Sequence, residues 1–208
     1  MGSVWAIVVA AGSGSRFGAA KQYQPLGGRR VLDWSLETAR AAADGVVVVV
    51  PPGDVAIEGG VAGGATRVES VRNGLAAVPA EATIVCVHDA ARPLASPALF
   101  AAVVDAVAGG ADGAVPAVAV TDTVKVVDSA GVVVDTLDRS TLVAVQTPQG
   151  FRADVLRRAH AGGLEATDDA ALVERSGGRV VTVPGEPWNR KITSPDDLDW
   201  ARQRIARA

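Results

Sequence analysis

Two cations stand in a glycine-rich stretch near the amino terminus of the chain. The segment AAGSGSRFGAAKQ, residues 10–22, holds Arg16 and Lys21 among small residues and begins where the apolar run VWAIVVA ends. Glycines let a backbone approach a ligand closely and point its amides at it, and cations attract anions. The composition therefore predicts a loop that binds a nucleotide triphosphate, with Gly12 and Gly14 close to the ligand.

Other interpretations of this loop are weaker but remain open. A dinucleotide-binding fingerprint requires GxGxxG, yet Phe17 occupies the expected place of the third glycine, which falls at position 18. No acidic residue ends the next apolar run where it could bind a ribose. A Walker phosphate loop requires a GK[ST] ending that the segment lacks. A purely structural glycine loop is the remaining alternative, and the two closely spaced cations argue against it.

The rest of the chain alternates short apolar runs with longer alanine-rich segments. The runs are VWAIVVA (4–10), VVVVV (46–50), TIVCVHD (83–89) and GAVPAVAV (113–120), and segments 31–42, 66–78 and 96–110 have helical spacing. Runs that are apolar throughout are typical of parallel strands covered on both faces. We expect an α/β fold: one Rossmann-like layered domain over residues 1–208 with a mostly parallel central sheet. Such sheets bind ligands at the carboxyl ends of their strands, so Asp89 should face the same cleft as the loop.

Residues 121–146 interrupt this alternation. Valines there alternate with polar residues, and DSAG supplies a turn between two such runs. The pattern predicts a protruding antiparallel β-arm, whose edge and apolar face a second copy of the chain could cover. A homodimer through the arm is thus one hypothesis, and a hairpin folded back on its own sheet is the other.

The carboxyl-terminal part returns to helices and a strand. Helices are expected near 152–161 and 167–177, followed by a strand at 179–185. The last helix has a well-marked start, with Ser194 as N-cap and Pro195 at the first helical position. This start places Lys191 just upstream, where we expect the end of a strand.

Composition limits the classes of function. The 208 residues carry a net charge of −3, which argues against a broad nucleic-acid surface. With the single cysteine Cys86 no disulfide can form within the chain, and with two histidines a zinc site of three His or of four Cys cannot be assembled. His88 at the end of an apolar run is expected to be structural. No apolar run reaches the roughly 18 residues of a membrane span, so we expect a cytoplasmic protein without membrane or nucleic-acid partners.

Several motifs together resemble one enzyme family. AAGSGSRFG followed by KQ, then HDAARP, TPQ, TDD and NRKIT, are similar to the 2-C-methyl-D-erythritol 4-phosphate cytidylyltransferases of the non-mevalonate isoprenoid pathway, over essentially the whole chain. The first motif is shared by many nucleotidyltransferases, and the later ones narrow the match. The resemblance implies transfer of a cytidylyl group from CTP to the polyol phosphate, with release of pyrophosphate. It also implies Mg²⁺ held largely by the triphosphate.

The resemblance assigns residues to this reaction. It implies that Arg16, Lys21 and Lys191 are catalytic, that Ala10, Ala11, Gly12, Gly14, Gly63, Gly64, Ser70 and Asp89 bind the nucleotide, and that Arg92, Thr123, Arg139, Thr147 and Thr167 bind the polyol phosphate. Asp89 would also be the protein ligand of Mg²⁺, and Arg139 would reach the site of the partner subunit. Two alternatives stay open: a cytidylyltransferase for another polyol phosphate such as ribitol 5-phosphate, and a nucleotide-binding module with little catalytic activity.

Overall fold

A computed structural model describes residues 2–12, 14, 17–163 and 166–206 of the chain. Its strands are β1 (Ser3–Val9), β2 (Pro25–Leu26), β3 (Arg29–Arg30), β4 (Gly45–Val50), β5 (Val61–Ala62), β6 (Ala82–Asp89), β7 (Gly113–Ala119), β8 (Lys125–Val127), β9 (Val133–Thr136), β10 (Val143–Val145), β11 (Gln149–Arg152) and β12 (Val180–Pro184). Its α-helices are α1 (Val31–Ala42), α2 (Val55–Glu58), α3 (Arg67–Ala77), α4 (Pro97–Ala108), α5 (Ala153–Ala161), α6 (Asp169–Arg175) and α7 (Pro195–Ile205). Short 3₁₀ helices cover Lys21–Tyr23, Pro52–Asp54 and Arg139–Thr141.

Eight strands form the central sheet. Their order is β10-β7-β11-β6-β1-β4-β5, and β12 also pairs with β7. β1 is parallel to both β4 and β6, β4 is parallel to β5, and β7 is parallel to β12. β11 and β10 are antiparallel to their neighbours. The prediction of an α/β fold with a mostly parallel central sheet is confirmed.

Helices cover both faces of this sheet because the inner strands are apolar on both sides. On one face Ile7 and Val49 pack with α3, α5 and α6, and on the other Val8 and Val50 pack with α1 and α4. All four side chains are buried. This alternation along β1 and β4 is what continuous valine and isoleucine runs produce when a strand lies between two layers.

The interrupting segment 121–146 divides into two parts. β8 and β9 pair only with each other among the described strands, as a small antiparallel sheet separate from the central one. β10 returns to the central sheet and pairs with the end of β7. β11, which follows, lies antiparallel between β6 and β7 with Phe151 fully buried, so it belongs to the core of the domain rather than to an arm.

The last helix begins as expected, but the segment before it does not. Ser194 caps α7 by accepting from the amide of Asp197, whose side chain accepts in return from the Ser194 amide. Lys191 was expected at a strand end and instead lies in a loop between β12 and α7. The loop is held by the amide of Ile192, which donates to the carbonyl of Ala91. Among the described residues, no helix combines the length and the apolar character that crossing a membrane requires.

Candidate active site

One cleft of about 500 Å³ opens at the carboxyl ends of β1 and β6. A volume of this size suits a ligand as large as a nucleotide. Nine of the residues assigned from the sequence border it: Ala10, Ala11, Gly12, Gly14, Lys21, Gly64, Ser70, Asp89 and Lys191. The sheet therefore gathers side chains from both ends of the chain around one space.

The glycine loop forms one wall of the cleft. Gly14 has φ of +67°, and a Cβ there would lie 1.9 Å from the carbonyl oxygen of Ala19, so glycine is required for the turn. Its carbonyl accepts from the amides of Phe17 and Gly18, which closes the loop. At Gly12, in contrast, a Cβ would meet no atom of the described residues within 4 Å beyond its chain neighbours. Its lack of a side chain leaves space that the described residues do not fill.

Lys21 opens the 3₁₀ helix that follows the loop, and it borders the cleft. The helix is anchored two residues later, where the Tyr23 hydroxyl donates to Oδ2 of Asp54 at 2.7 Å. Burial, followed by this hydrogen bond, raises the pKa of Tyr23 above its ordinary value, so the phenol stays a proton donor. The anchor fixes the backbone that carries Lys21.

Asp89 joins two cations at the centre of the cleft. Its Oδ2 lies 2.6 Å from Nζ of Lys191, and its Oδ1 lies 3.4 Å from Nε of Arg67. Burial by itself would raise the pKa of Asp89, but the charges of Arg67 and Lys191 outweigh it and hold the pKa well below its usual range. Asp89 is therefore ionised and keeps both cations near the end of β6.

Arg67 is a cleft residue that the sequence analysis missed. It stands at the start of α3, in the segment GGATRVES from which only the glycines and Ser70 were selected. Its Nη1 lies 2.8 Å from Oδ2 of Asp169, and Asp169 Oδ1 lies 3.0 Å from Nε2 of His160. Burial would lower the pKa of Arg67, and Asp169 and Asp89 together raise it. The sequence did contain a signal for Arg67, because it is a cation at the first position of a helix and follows a pair of glycines.

The start of α3 also builds the wall opposite the glycine loop. Ser70 Oγ accepts from the amide of Gly64 and donates to the carbonyl of Thr66. Gly63 lies behind this wall rather than on the cleft, and its amide donates to the carbonyl of Val50. Ser70 thus shapes the loop that borders the cleft.

Thr147 and His88 form a structural pair beneath the cleft. The Thr147 hydroxyl accepts from the amide of Asp89 at 3.0 Å and lies 3.1 Å from Nδ1 of His88. The other ring nitrogen of His88 lies 3.2 Å from the carbonyl of Arg92. Burial lowers the pKa of His88 to about 4, which makes it neutral at neutral pH. Thr147 is buried and its hydroxyl holds the end of β6, and its contact with substrate stays a prediction.

Arg92 lies at the edge of this region and contacts backbone. Its Nη1 donates to the carbonyl of Asn189 at 2.7 Å, and its Nη2 donates to the carbonyl of Val145. Burial lowers the pKa of Arg92, and the nearby charge of Asp89 opposes that effect. Arg92 therefore links the end of β6 to the loop that carries Lys191, and it is not among the residues bordering the cleft.

The remaining predicted substrate residues lie on the surface. Thr123 and Arg139 are exposed on the segment around β8 and β9, where Arg139 donates to the carbonyl of Thr121. Thr167 is exposed and precedes Asp168, which is the N-cap of α6. The structure does not bring these three residues to the cleft within one chain. Arg16 lies outside the described residues.

The donors at the cleft bear on metal binding. Asp89 is the single carboxylate among the described residues that border the cleft. Within the described ranges, no cluster of three or more His, Cys, Asp or Glu side chains could hold a metal ion. Mg²⁺ usually keeps several waters and takes one or two carboxylates together with substrate phosphates. This donor set fits a magnesium ion held chiefly by a bound triphosphate.

The layered sheet, the glycine loop after β1 and the cations that meet at the cleft are features of a nucleotidyltransferase. A family model described as IspD: 2-C-methyl-D-erythritol 4-phosphate cytidylyltransferase matches residues 4–207. The chain belongs to this family, and the resemblance found in its motifs is confirmed.

Individual relatives agree with this assignment. The chain is 47% identical over 222 residues to the 2-C-methyl-D-erythritol 4-phosphate cytidylyltransferase of Nocardia farcinica, covering 99% of this chain and 95% of that protein. It is 50% identical over 218 residues to the bifunctional enzyme IspD/IspF of Anaeromyxobacter dehalogenans, covering 94% of this chain and 55% of the relative. The chain thus spans about half the length of the bifunctional relative.

Solved structures show the same fold. The cytidylyltransferase from Thermus thermophilus superposes with a TM-score of 0.83 at 38% identity, covering 97% of this chain and 98% of that one. The 4-diphosphocytidyl-2C-methyl-D-erythritol synthase from Anaerococcus prevotii superposes with a TM-score of 0.86 at 30% identity, covering 99% of both chains.

Proposed function

We propose that this chain transfers the cytidylyl group of CTP to 2-C-methyl-D-erythritol 4-phosphate, giving 4-diphosphocytidyl-2-C-methyl-D-erythritol and pyrophosphate in non-mevalonate isoprenoid synthesis. Membership of the family supports the reaction. The observation that carries it for this chain is the cleft itself, where the glycine loop faces Lys21 and the Asp89–Lys191 pair.

The nucleotide occupies the cleft between the glycine loop and the start of α3. The residues proposed to contact it are Ala10, Ala11, Gly12, Gly14, Gly64, Ser70 and Asp89, with Gly63 supporting them from behind. These residues are small apart from Asp89, and a narrow pocket with fixed backbone groups selects a pyrimidine over a purine by shape. The unfilled space at Gly12 gives the ligand room to approach the backbone.

Cations allow the two anionic substrates to meet. A phosphate oxygen of the polyol phosphate attacks the α-phosphorus of CTP, and the bond from that phosphorus to the bridging oxygen breaks as pyrophosphate leaves with the electron pair. Lys21 and Lys191 stabilise the charge that develops, and Arg16 is proposed to join them. Asp89 would be the protein ligand of a Mg²⁺ ion bound with the triphosphate, and such an ion would supply further charge neutralisation.

In this scheme no side chain acts as a general base. The attacking phosphate is already ionised, and His88, the histidine nearest to Asp89 in the chain, is neutral and uses both ring nitrogens within the protein. Positioning and electrostatics therefore account for catalysis.

A homodimer would complete the site. Eight large apolar side chains of the segment 121–146 are exposed: Val126, Val127, Val132, Val133, Val134, Leu137, Val143 and Val145. An exposed apolar surface of this kind, on β8, β9, their flanking residues and β10, favours cover by a second copy. We propose that this β-arm carries Thr123 and Arg139 to the polyol phosphate, with Arg139 acting in the partner's site, while Arg92 and Thr167 border the same substrate. The cytoplasm is the proposed location, with Cys86 a reduced, buried thiol.

Pyrophosphate release tests the function directly. The enzyme is incubated with CTP and Mg²⁺ and either 2-C-methyl-D-erythritol 4-phosphate or ribitol 5-phosphate, and release with the first substrate is expected. Release with ribitol 5-phosphate alone would replace the proposal by the related polyol activity. Release with neither substrate, in a chain that still binds CTP, would favour a nucleotide-binding module.

A further inference from the structure

Asp169 and His160 form a buried pair behind the cleft that the reaction as described does not use. Their side chains are 0% and 2% exposed, and Nε2 of His160 lies 3.0 Å from Oδ1 of Asp169. The other carboxylate oxygen of Asp169 faces Nη1 of Arg67 at 2.8 Å. Burying a carboxylate this completely costs free energy unless the charge is paired, and Arg67 and His160 are its partners.

We infer that Asp169 is a positioning residue for cytidylyl transfer: it shares Arg67 with Asp89, so that Oδ2 of Asp89 stays bound to Lys191. The inference rests on the proposed function, and it adds to it a residue that does not itself touch substrate. His160 contacts Asp169 and fixes the orientation of its carboxylate.

The geometry of Arg67 shows what Asp169 does. Arg67 lies between two carboxylates, closer to Asp169 at 2.8 Å than to Asp89 at 3.4 Å. A guanidinium readily binds one carboxylate through two parallel contacts. Without the charge of Asp169, Arg67 would move to pair fully with Asp89 and compete with Lys191 for Oδ2.

The contact between Arg67 and Asp169 acts through charge. Although Nη1 and Oδ2 are 2.8 Å apart, neither atom has an aligned hydrogen-bond partner among the described residues. Opposite charges at this distance attract each other strongly, so the contact depends on the charge of Asp169. An asparagine at position 169 keeps the shape of the side chain and removes the charge, which makes it the decisive substitution.

His160 orients the carboxylate from the opposite side. It lies on α5, and its backbone carbonyl accepts from Nε of Arg72 on α3, which anchors the histidine between these two helices. Its Nε2 reaches Oδ1 of Asp169, so Oδ2 is directed at Arg67. The chain of contacts runs from His160 through Asp169, Arg67 and Asp89 to Lys191.

The test compares Asp169→Asn with the wild type and with Asp168→Asn. Asp168 is the adjacent carboxylate, contacts Gln149 and the amide of Ala171 rather than Arg67, and asparagine also serves as an N-cap. We expect Asp169→Asn to lower kcat by about 10-fold or more with its thermal unfolding still cooperative, and Asp168→Asn to stay within about twofold.

A double-mutant cycle separates positioning from general destabilisation. In the Arg67→Met background, Asp169→Asn should change kcat/KM by less than about twofold, because its effect passes through Arg67. Equal losses in both backgrounds, or a folded Asp169→Asn enzyme with wild-type kcat, would overturn the inference.

Should Asp169→Asn fail to fold, Arg67→Lys is the variant to measure. A lysine cannot span both carboxylates, so this variant should also lower kcat about 10-fold. Wild-type kcat in Arg67→Lys would equally overturn it.

The proposed function and this inference fail in different ways. A wild-type enzyme that releases no pyrophosphate contradicts the proposed function. The inference is then judged by the dissociation constant for CTP, measured by calorimetry, which should rise in Asp169→Asn and stay unchanged in Asp168→Asn. An unchanged constant in both variants would count against it.

Discussion

Oδ2 of Asp89 lies 2.6 Å from Nζ of Lys191, although 102 residues separate them in the chain. The contact joins the end of β6 to the loop before α7, and it holds a lysine at the cleft without a strand or helix around it. Asp89 also offsets the charge of that lysine until an anionic substrate arrives. The electrostatics of the cleft therefore depend on this carboxylate as much as on the cations.

Loss of the cation at position 21 should lower turnover without unfolding the chain. Lys21→Ala is expected to lower kcat by about 100-fold or more, because it removes charge stabilisation at the reacting phosphates. Pyrophosphate release gives kcat, and circular dichroism checks the fold. Arg40→Ala, which removes an exposed cation of α1, is the control and should be fully active. Equal activity of the two variants would show that Lys21 is misassigned.

A methyl group at Gly12 should weaken nucleotide binding and spare the fold. Within the part of the chain that the structure describes, the Cβ of Gly12→Ala meets no atom within 4 Å other than those of its chain neighbours, so the melting temperature should not change. Because the methyl group enters the space proposed for the nucleotide, the dissociation constant for CTP should rise about 10-fold. Gly53→Ala, also with open space around its Cβ, is the matched control. Unchanged CTP binding in Gly12→Ala would argue against this nucleotide position.

Charges placed on the β-arm should convert a dimer to a monomer. Val134 is 60% exposed, and Val134→Asp would bury a carboxylate in the proposed interface. Light scattering after size-exclusion chromatography should show half the wild-type mass. Ile57 is 79% exposed on α2, outside the arm, so Ile57→Asp should keep the wild-type mass. If both variants keep the wild-type mass, the arm does not form the dimer interface.

Complementation tests whether sites are shared between subunits. Arg139→Ala and Lys21→Ala chains are each expected to be nearly inactive. When they are mixed and refolded together, half of the dimers pair the two variants, and each such dimer has one intact site. Activity should therefore recover to about a quarter of the wild-type value. No recovery would indicate that each site is built from one chain.

The stability of the chain should fall in acid partly through Asp197. Burial would raise the pKa of Asp197, but hydrogen bonds from Thr193 and Ser194 lower it from 3.8 to about 2. Because the folded pKa is the lower one, the stabilisation is complete above about pH 4 and disappears as the pH falls through 2. Urea unfolding should show the wild-type advantage over Asp197→Asn shrinking across that window. A constant difference would contradict the assignment.

Local patterns in the sequence were sufficient for most of the secondary structure. Segment 31–42 is a helix over the same residues, and the four apolar runs are strands within one residue of their expected ends. Helix formation and strand burial depend on the spacing of apolar residues over about ten positions, and that spacing is visible in the chain. The same reasoning placed Asp89 at a strand end facing the glycine loop.

Local patterns did not predict the contacts between distant segments of the chain. The ion pair between Arg67 and Asp169 could not be predicted, because nothing near either residue in the sequence indicates a contact between α3 and α6. Thr147 was assigned to substrate from its motif, and nothing near it in the sequence predicted that its hydroxyl accepts from the amide of Asp89. Lys191 was assigned to a strand that does not form there.

By itself, then, the sequence determined the layered fold, the glycine loop and the family, and it predicted residues that bind phosphate. Tertiary structure decided that β11 enters the core, that Asp89 lies between Arg67 and Lys191, and that Asp169 lies behind them. The reason is physical. Periodicity encodes which face of an element is buried, whereas the pairing of charges about a hundred residues apart depends on strand order and helix packing, which only the folded chain specifies.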